Sequence, residues 1–272
     1  MRIYYDVRET KLYELQKNTF FTPLMTFLQK RPNCTLRELN QEFPQKGFVK
    51  YLESCIQVGW VLREERRYTL ALPIYTKETV VEVSRQPKLQ ELFLELAALS
   101  DEELAALFQQ LKDYQPATPY IVTEDVLLGC IQEAGVSGEL QLFSLITKPE
   151  STDLAGFFVA NRHLEEPAHY RQLVRLIGDV DEEYYFQQVR WILSRIVKGK
   201  APKDSIFRDS LEISGIISDD NRLQIPYLRN LTESSLLLSK ITDLTHFELG
   251  ILLGIVSEKR FEGLFQWFYK EK

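Results

Sequence analysis

Residues 35–73 read TLRELNQEFPQKGFVKYLESCIQVGWVLREERRYTLALP. Thr35 followed by Glu38 is a capping-box spacing, in which the N-cap hydroxyl and the carboxylate three positions on satisfy each other's backbone amides. Leu36, Leu39 and Phe43 recur at helical spacing, and Pro44 halts that helix because it lacks an amide hydrogen and clashes with the preceding turn. A second helix carries Phe48, Tyr51, Leu52, Cys55 and Ile56 on one apolar stripe. Gly59 stands at the C′ position, where a left-handed backbone is cheap only for glycine. The stretch WVLREERRYTLAL then switches to period two around a charged turn, Arg63 to Arg67.

Helix, turn, helix and β-hairpin in that order is the winged-helix pattern. FFTPLMTFLQ, residues 20–29, supplies its first helix, with Pro23 tolerated in the opening turn. Before it, IYYDV reads as a short strand. Leu24, Phe27, Leu28, Leu36, Leu39, Leu52, Ile56, Trp60, Leu62 and Leu70 are expected to form one hydrophobic centre, and residues 1–75 one N-terminal winged helix.

Residues 76–166 are expected to be a helical middle region. A connector over 74–87 leads to KLQELFLELAAL and then to a second capping box, Ser100 with Glu103, opening SDEELAALFQQLKDY. After the Pro-rich QPATPY, Thr123 is placed as the cap of a helix running to Gly135. GELQLFSLIT is read as a strand, although so short an apolar run does not by itself separate strand from buried helix. KPESTDLAG reads as an exposed loop, and AGFFVANRHLEEPAHYRQLVRLIG as two helices broken at Pro167.

Residues 167–272 read as a winged-helix-like unit with a helical cap. Asp181 caps a helix whose Tyr185, Val189, Ile192 and Ile196 form one stripe, ended by Gly199. PKDSIFRDSLEISGIISDDNRLQIPYL then repeats the grammar of the first unit. Phe207 and Leu211 answer Phe48 and Leu52; Gly215, Ile216 and Ile217 answer Gly59, Trp60 and Val61. After a polar turn, Arg222 to Pro226 answers Arg67 to Pro73, two residues shorter, which is the order expected of an internal repeat. CIQEAGV against CIQVGWV is a weaker echo without a charged turn. The tail is expected to be two or three amphipathic helices, with Phe247, Ile251, Leu252 and Ile255 on one face and Phe261, Leu264, Phe265 and Phe268 on another. Those faces serve as a packed cap, or as a surface for a homodimer or a protein partner. The fold class is therefore mostly α with short β-hairpins: two winged-helix-like units joined and capped by helices.

The strings LRELNQEFP, VGWVLREERRYTL, LIGDVDEEYYFQQVRWIL and IFRDSLEISGII resemble an uncharacterised domain-of-unknown-function family of cytoplasmic proteins from low-GC Gram-positive bacteria. The resemblance covers about residues 15–75 and 170–226. It implies winged-helix-like ends and a bacterial cytoplasmic setting, and it brings no activity, cofactor or catalytic residue.

Charge is unevenly spread. Residues 1–75 hold 12 Lys+Arg against 8 Asp+Glu, a balance of +4; the remainder holds 21 against 31, a balance of −10, and together they give −6. A basic segment ahead of an acidic one is expected where only the first meets a polyanion. The apolar runs are too short for a bilayer, and MRIYYDVRET has no apolar signal core. Cys34, Cys55 and Cys130 show no metal spacing, and Cys55 falls on an apolar helix face. A cytoplasmic protein without membrane contact is the expectation.

Chemistry is sparse. GVSG at 135–138 lacks the strand and helix that a phosphate loop needs. His163 and His169, flanking Glu165 and Glu166, miss the i, i+4 spacing of a helical metal pair, and His246 reads as a surface residue. Carboxylates such as Glu102, Glu103, Asp181, Glu182 and Glu183 complement helix dipoles in first turns. No enzyme, metal or cofactor is expected. What remains is contact with double-stranded DNA. In a winged helix the second helix of the motif enters the major groove and the hairpin reaches the backbone. Lys46, Lys50, Ser54 and Gln57 on that helix, Arg37 on the preceding one, and Arg63, Arg66 and Arg67 in the hairpin are the candidate contacts. Glu53, Glu64 and Glu65 lie among them. A solvated face of Arg–Glu pairs, in a scaffold that binds only proteins, is the competing reading. In the second unit Asp204, Asp209, Glu212, Asp219 and Asp220 outnumber their cations, so that copy is not expected to approach DNA.

Overall fold

The capping signals place most of the elements. In a computed structural model describing residues 2–4, 10–112, 114, 119–123, 126, 128–162, 168–229 and 235–270, the Thr35 amide donates to the Glu38 carboxylate at 2.7 Å and the Glu38 amide returns to the Thr35 hydroxyl at 3.3 Å. The chain divides into two compact units, Met1–Val81 with Gln115–Val126, and Glu82–Tyr114 with Leu127–Lys272. The expected boundaries near 75 and 166 do not coincide with these.

The first unit runs β1 (Arg2–Tyr4), α1 (Thr10–Lys17), α2 (Phe21–Lys30), β2 (Cys34–Thr35), α3 (Leu36–Glu42), α4 (Phe48–Gln57), β3 (Val61–Glu64), β4 (Arg67–Leu70), β5 (Ile74–Tyr75), then α5 (Lys77–Ser84) across its boundary, and later β6 (Tyr120–Val122). β2, β4 and β3 form an antiparallel sheet in that order. A second small sheet has β6 between β1, antiparallel, and β5, parallel. The 74–87 segment is thus a strand and a helix rather than a plain connector. Leu24, Met25, Leu28, Leu39, Phe48, Leu52, Cys55, Trp60 and Tyr68 make the core. Phe27, Leu36, Ile56 and Leu70 pack against it half-buried, as the stripe requires. Leu62 does not belong to it: Val61 faces inward opposite Leu70, so period two turns Leu62 outward, 49% exposed.

The helix-to-hairpin junction is a Schellman motif. Gly59, at φ +74°, donates to Ile56 O at 3.0 Å, and Trp60 donates to Cys55 O at 2.9 Å. That turn aims Trp60 into the core and starts β3. The hairpin loop is only Glu65 and Arg66, both at positive φ (48° and 63°), the geometry of a type I′ turn. The charged turn is therefore two residues long, and Arg63 and Arg67 lie on the strands.

The second unit comprises α6 (Pro87–Ala97), α7 (Asp101–Leu111), β7 (Cys130–Gly135), β8 (Leu140–Ile146), α8 (Leu154–Arg162), α9 (Arg171–Ile177), α10 (Glu182–Val197), α11 (Ile206–Ile213), β9 (Tyr227–Leu228), α12 (Ser235–Thr242), α13 (His246–Phe261) and β10 (Leu264–Lys270). Its sheet runs β7-β8-β10-β9, with β10 antiparallel to β8 over seven residue pairs and parallel to β9.

Two expected helices are strands. Cys130–Gly135 pairs antiparallel with β8, and the Gly129 amide bonds to Gly250 O at 2.8 Å. An alanine Cβ at Gly129 would lie 2.3 Å from Gly254 N, so the chain can pass the glycine notch of α13 only without a side chain. Leu264–Lys270 follows a reversal at Glu262 and Gly263 (φ 53° and 108°) and alternates as LFQWFYK, an aromatic-rich run that suits a pleated surface. Pro167 and the residues beside it, including His163, Glu165 and Glu166, lie outside the described residues.

α10 and α11 also end in Schellman turns, through Gly199 (φ 68°) and Gly215 (φ 66°). Ile216 donates to Leu211 O at 2.9 Å, the bond Trp60 makes to Cys55. Leu211 therefore corresponds to Cys55, not to Leu52. The hairpin that follows is reduced to one bridge, Ile217 with Leu223. Gln224 donates to Ile216 O at 2.9 Å as Ala71 donates to Trp60 O at 3.0 Å, which makes the later hairpin three residues shorter.

Candidate nucleic-acid interface

The candidate side chains of the first unit separate into groups. Lys50 and Gln57 are exposed on α4, and Val49 beside them is 47% exposed. Lys46 stands in the turn before α4 rather than on it, ahead of Gly47 at φ +98°. Ser54 is half-buried, and its hydroxyl donates back to Lys50 O at 3.1 Å, which spends its proton within the helix. Arg37 is exposed in the first turn of α3, where a cation opposes the helix dipole.

The hairpin arginines point in different directions. Arg63 pairs across the ribbon with Tyr68, lies 5.6 Å from its ring, and reaches Glu53 of α4 at 3.7 Å. Arg67 is on the opposite face, across from Glu64, and donates to Asn33 O at 3.3 Å. Together with Arg31 it lowers the Glu38 carboxyl pKa, after the larger effect of the Thr35 hydrogen bonds. Arg66 projects from the apex. Among the described residues, Arg37, Lys46, Lys50 and Arg66 have no carboxylate within ion-pair distance. Two of the eight candidates, Arg63 and Ser54, are thus largely engaged inside the unit, and Arg67 is partly so.

Asn33 was not anticipated as part of this surface. At φ +61° it receives Thr69 Oγ1 at 2.9 Å as well as Arg67, tying the loop before β2 to β4. The dipeptide Pro32–Asn33 is the turn signal that marks it. Burial raises the thiol pKa values of Cys34 and Cys55, the latter to about 11, so both are inert small hydrophobes at neutral pH. Among the described residues no group of three or more His, Cys, Asp or Glu is placed to hold a metal ion, and no helix is long and apolar enough to cross a membrane.

No curated protein and no solved structure matches the chain. Residues 2–114, which include β1 through α7, match the model of a family described as a domain of unknown function, DUF1803.

Proposed function

We propose that the first unit is a winged helix that binds double-stranded DNA, as a transcription-regulator-like protein without catalytic activity. On this reading α4 lies in the major groove, Lys50 and Lys46 meet phosphates, Gln57 faces a base edge, and the hairpin apex reaches the flanking backbone. The observation that carries it is Arg66. It occupies a left-handed position at the apex of a two-residue turn, φ 63°, where Asn or Gly would sit without strain. A long cation held there at a conformational cost points to a ligand beyond the apex. The partial repeat in the second unit, with its carboxylate-rich α11 and turn, is on the same reading a non-DNA-binding copy in a cytoplasmic bacterial protein.

The test is fluorescence anisotropy of the full chain with a labelled 30-base-pair duplex, titrated between 50 and 200 mM salt. With Arg37, Lys46, Lys50 and Arg66 on phosphates, the slope of log K against log salt should be about −3 to −4. Lys50→Glu and Arg66→Glu should each weaken binding. Absence of binding at 50 mM salt ends the proposal. The second reading, docking of a protein partner, draws on exposed Val49 and Leu62 among Glu53, Glu64 and Glu65. It expects no duplex binding and no effect of either charge reversal on partner capture.

A further inference from the structure

The second unit carries a basic segment on α10 whose C-terminal end adjoins the hairpin turn at Asp220 to Leu223. Residues 184–203, YYFQQVRWILSRIVKGKAPK, contain five Lys+Arg and no Asp or Glu, within a 197-residue remainder whose balance is −10. The inner face of α10 is consumed by the core through Tyr185, Phe186, Val189, Ile192 and Leu193. On the outer face Tyr184 and Trp191 are seven residues apart, close to two full turns, and are 51% and 66% exposed. Arg195 and Lys198 continue that face, and Lys200 follows the Schellman turn at Gly199. Val197, Lys200, Asp220, Arg222 and Leu223 then line a cavity of about 560 Å³ at the end of the helix, in which Arg222 is paired with Asp220 at 2.8 Å and Lys200 is the cation left over. Cations at a helix C-terminus complement its dipole, but one or two suffice, and the dipole gives no reason to leave the most exposed aromatic of the helix in water.

We propose that the outer face of α10, with Tyr184 and Trp191 as stacking platforms and Arg195, Lys198 and Lys200 as phosphate contacts, binds single-stranded nucleic acid. Unpaired bases are required because a ring standing out from a helix meets a base face only when that face is free of its neighbours; in a duplex the faces are covered. The two rings are about 10 Å apart by helix rise, which is roughly three stacked base steps of 3.4 Å along one strand. An acidic peptide would match the charge but leave Trp191 and the outer face of Tyr184, whose ring meets Phe207 edge-on with centroids 5.8 Å apart, without a stacking partner. A membrane surface would need a broad apolar face, and that of α10 is already buried. The assignment stands apart from the duplex-binding reading of the first unit and uses none of its residues.

Trp191 makes the test direct, because Trp60 and Trp267, the other two tryptophans, are fully buried. The full chain is titrated with a 20-nucleotide oligo(dT) and oligo(rU), and separately with poly-glutamate and with anionic phospholipid vesicles, while tryptophan emission is followed. The expected result is quenching by the oligonucleotides, with a salt slope of about −2 for three phosphate contacts. Affinities of the variants are read by anisotropy of the same oligonucleotides carrying a fluorescent label, since Trp191→Ala removes the emitting side chain: affinity should fall about 5- to 100-fold in Trp191→Ala, and fall in the double variant Lys198→Glu/Lys200→Glu, but stay unchanged in Arg66→Glu. Circular dichroism melts of each variant confirm that the fold is retained; Trp191→Tyr, which keeps a ring, should restore most of the binding. No quenching, equal binding by Trp191→Ala, or preference for poly-glutamate or vesicles overturns the assignment.

Discussion

Replacing Arg66 with glycine should move stability and DNA affinity in opposite directions. Arg66 holds φ 63° at the second position of a two-residue hairpin loop, after Glu65 at φ 48°. For an L-residue the left-handed region costs on the order of 1–2 kcal/mol, because Cβ crowds the following carbonyl. Glycine removes that cost but gains freedom in the unfolded chain, which returns roughly 0.5–1 kcal/mol. The net expectation is a gain of up to about 1.5 kcal/mol, read as a higher urea midpoint with an unchanged m-value. Arg66 makes no ion pair among the described residues, so no native contact is lost to offset the gain. In the duplex titration the same variant should lower the salt slope by about one, the mark of one lost phosphate contact. A destabilised Arg66→Gly would refute the strain argument. A stabilised variant with unaltered affinity and slope would leave the strain without a purpose and remove the chief support for DNA at the apex.

Asp153 is fully buried; one carboxylate oxygen accepts from the Gly156 amide at 3.0 Å, and burial, outweighing the hydrogen bonds to the carboxylate, raises its pKa to about 6. A raised folded pKa stabilises the fold below the unfolded value near 4, and that contribution, about 3 kcal/mol, is lost as pH rises through 6. Asp153→Asn should therefore flatten the stability–pH curve between pH 4 and 7 in urea melts; an unchanged slope would show that Asp153 is not its source. Gly129→Ala forces a methyl against the backbone of Leu253 and Gly254 at 2.3–2.4 Å and should lower Tm by about 6–12 °C, corresponding to roughly 3 kcal/mol. Ser100→Ala breaks a capping box whose two backbone bonds measure 2.8 and 3.2 Å and should cost about 1 kcal/mol by urea titration.

Local signals were legible wherever one short segment settles its own geometry. The boxes at Thr35 and Ser100, the Asp181 cap and the glycine stops at 59, 199 and 215 need only a few adjacent residues, and each is where spacing placed it. In the second unit β8 is legible in GELQLFSLIT, whereas its two neighbours, β7 and β10, are not. Cys130–Gly135 is a strand through β8 and the glycine notch of α13, and β10 pairs with residues more than 110 positions earlier. An apolar run carries no record of such a partner. The candidate cations of the first unit are legible as composition but not as direction. Whether an arginine in REERRY faces α4, Asn33 or solvent depends on where the two-residue turn falls, and the sequence shows five charged residues in a row without marking it.

The two helix-to-hairpin junctions explain why similar local chemistry leads to different surfaces. Each begins with the same Schellman bonds, to Cys55 and Ile56 in one case and to Leu211 and Glu212 in the other. The first then extends four residue pairs before turning, which carries Arg66 clear of the core. The second turns after a single bridge, and its loop is held down by Arg208, which donates to Asn221 Oδ1 at 3.0 Å and Asp219 O at 3.4 Å and pairs with Glu212 at 2.6 Å. The arginine that packs on this junction is spent fixing the turn, whereas the apex arginine of the first is left to solvent. Three residues of hairpin length therefore decide whether a cation acts as an internal tie or an outward contact. Lengthening the second turn by three residues would free the loop from Arg208 yet leave Asp219 and Asp220 at its tip, so reach alone would not give it affinity for DNA.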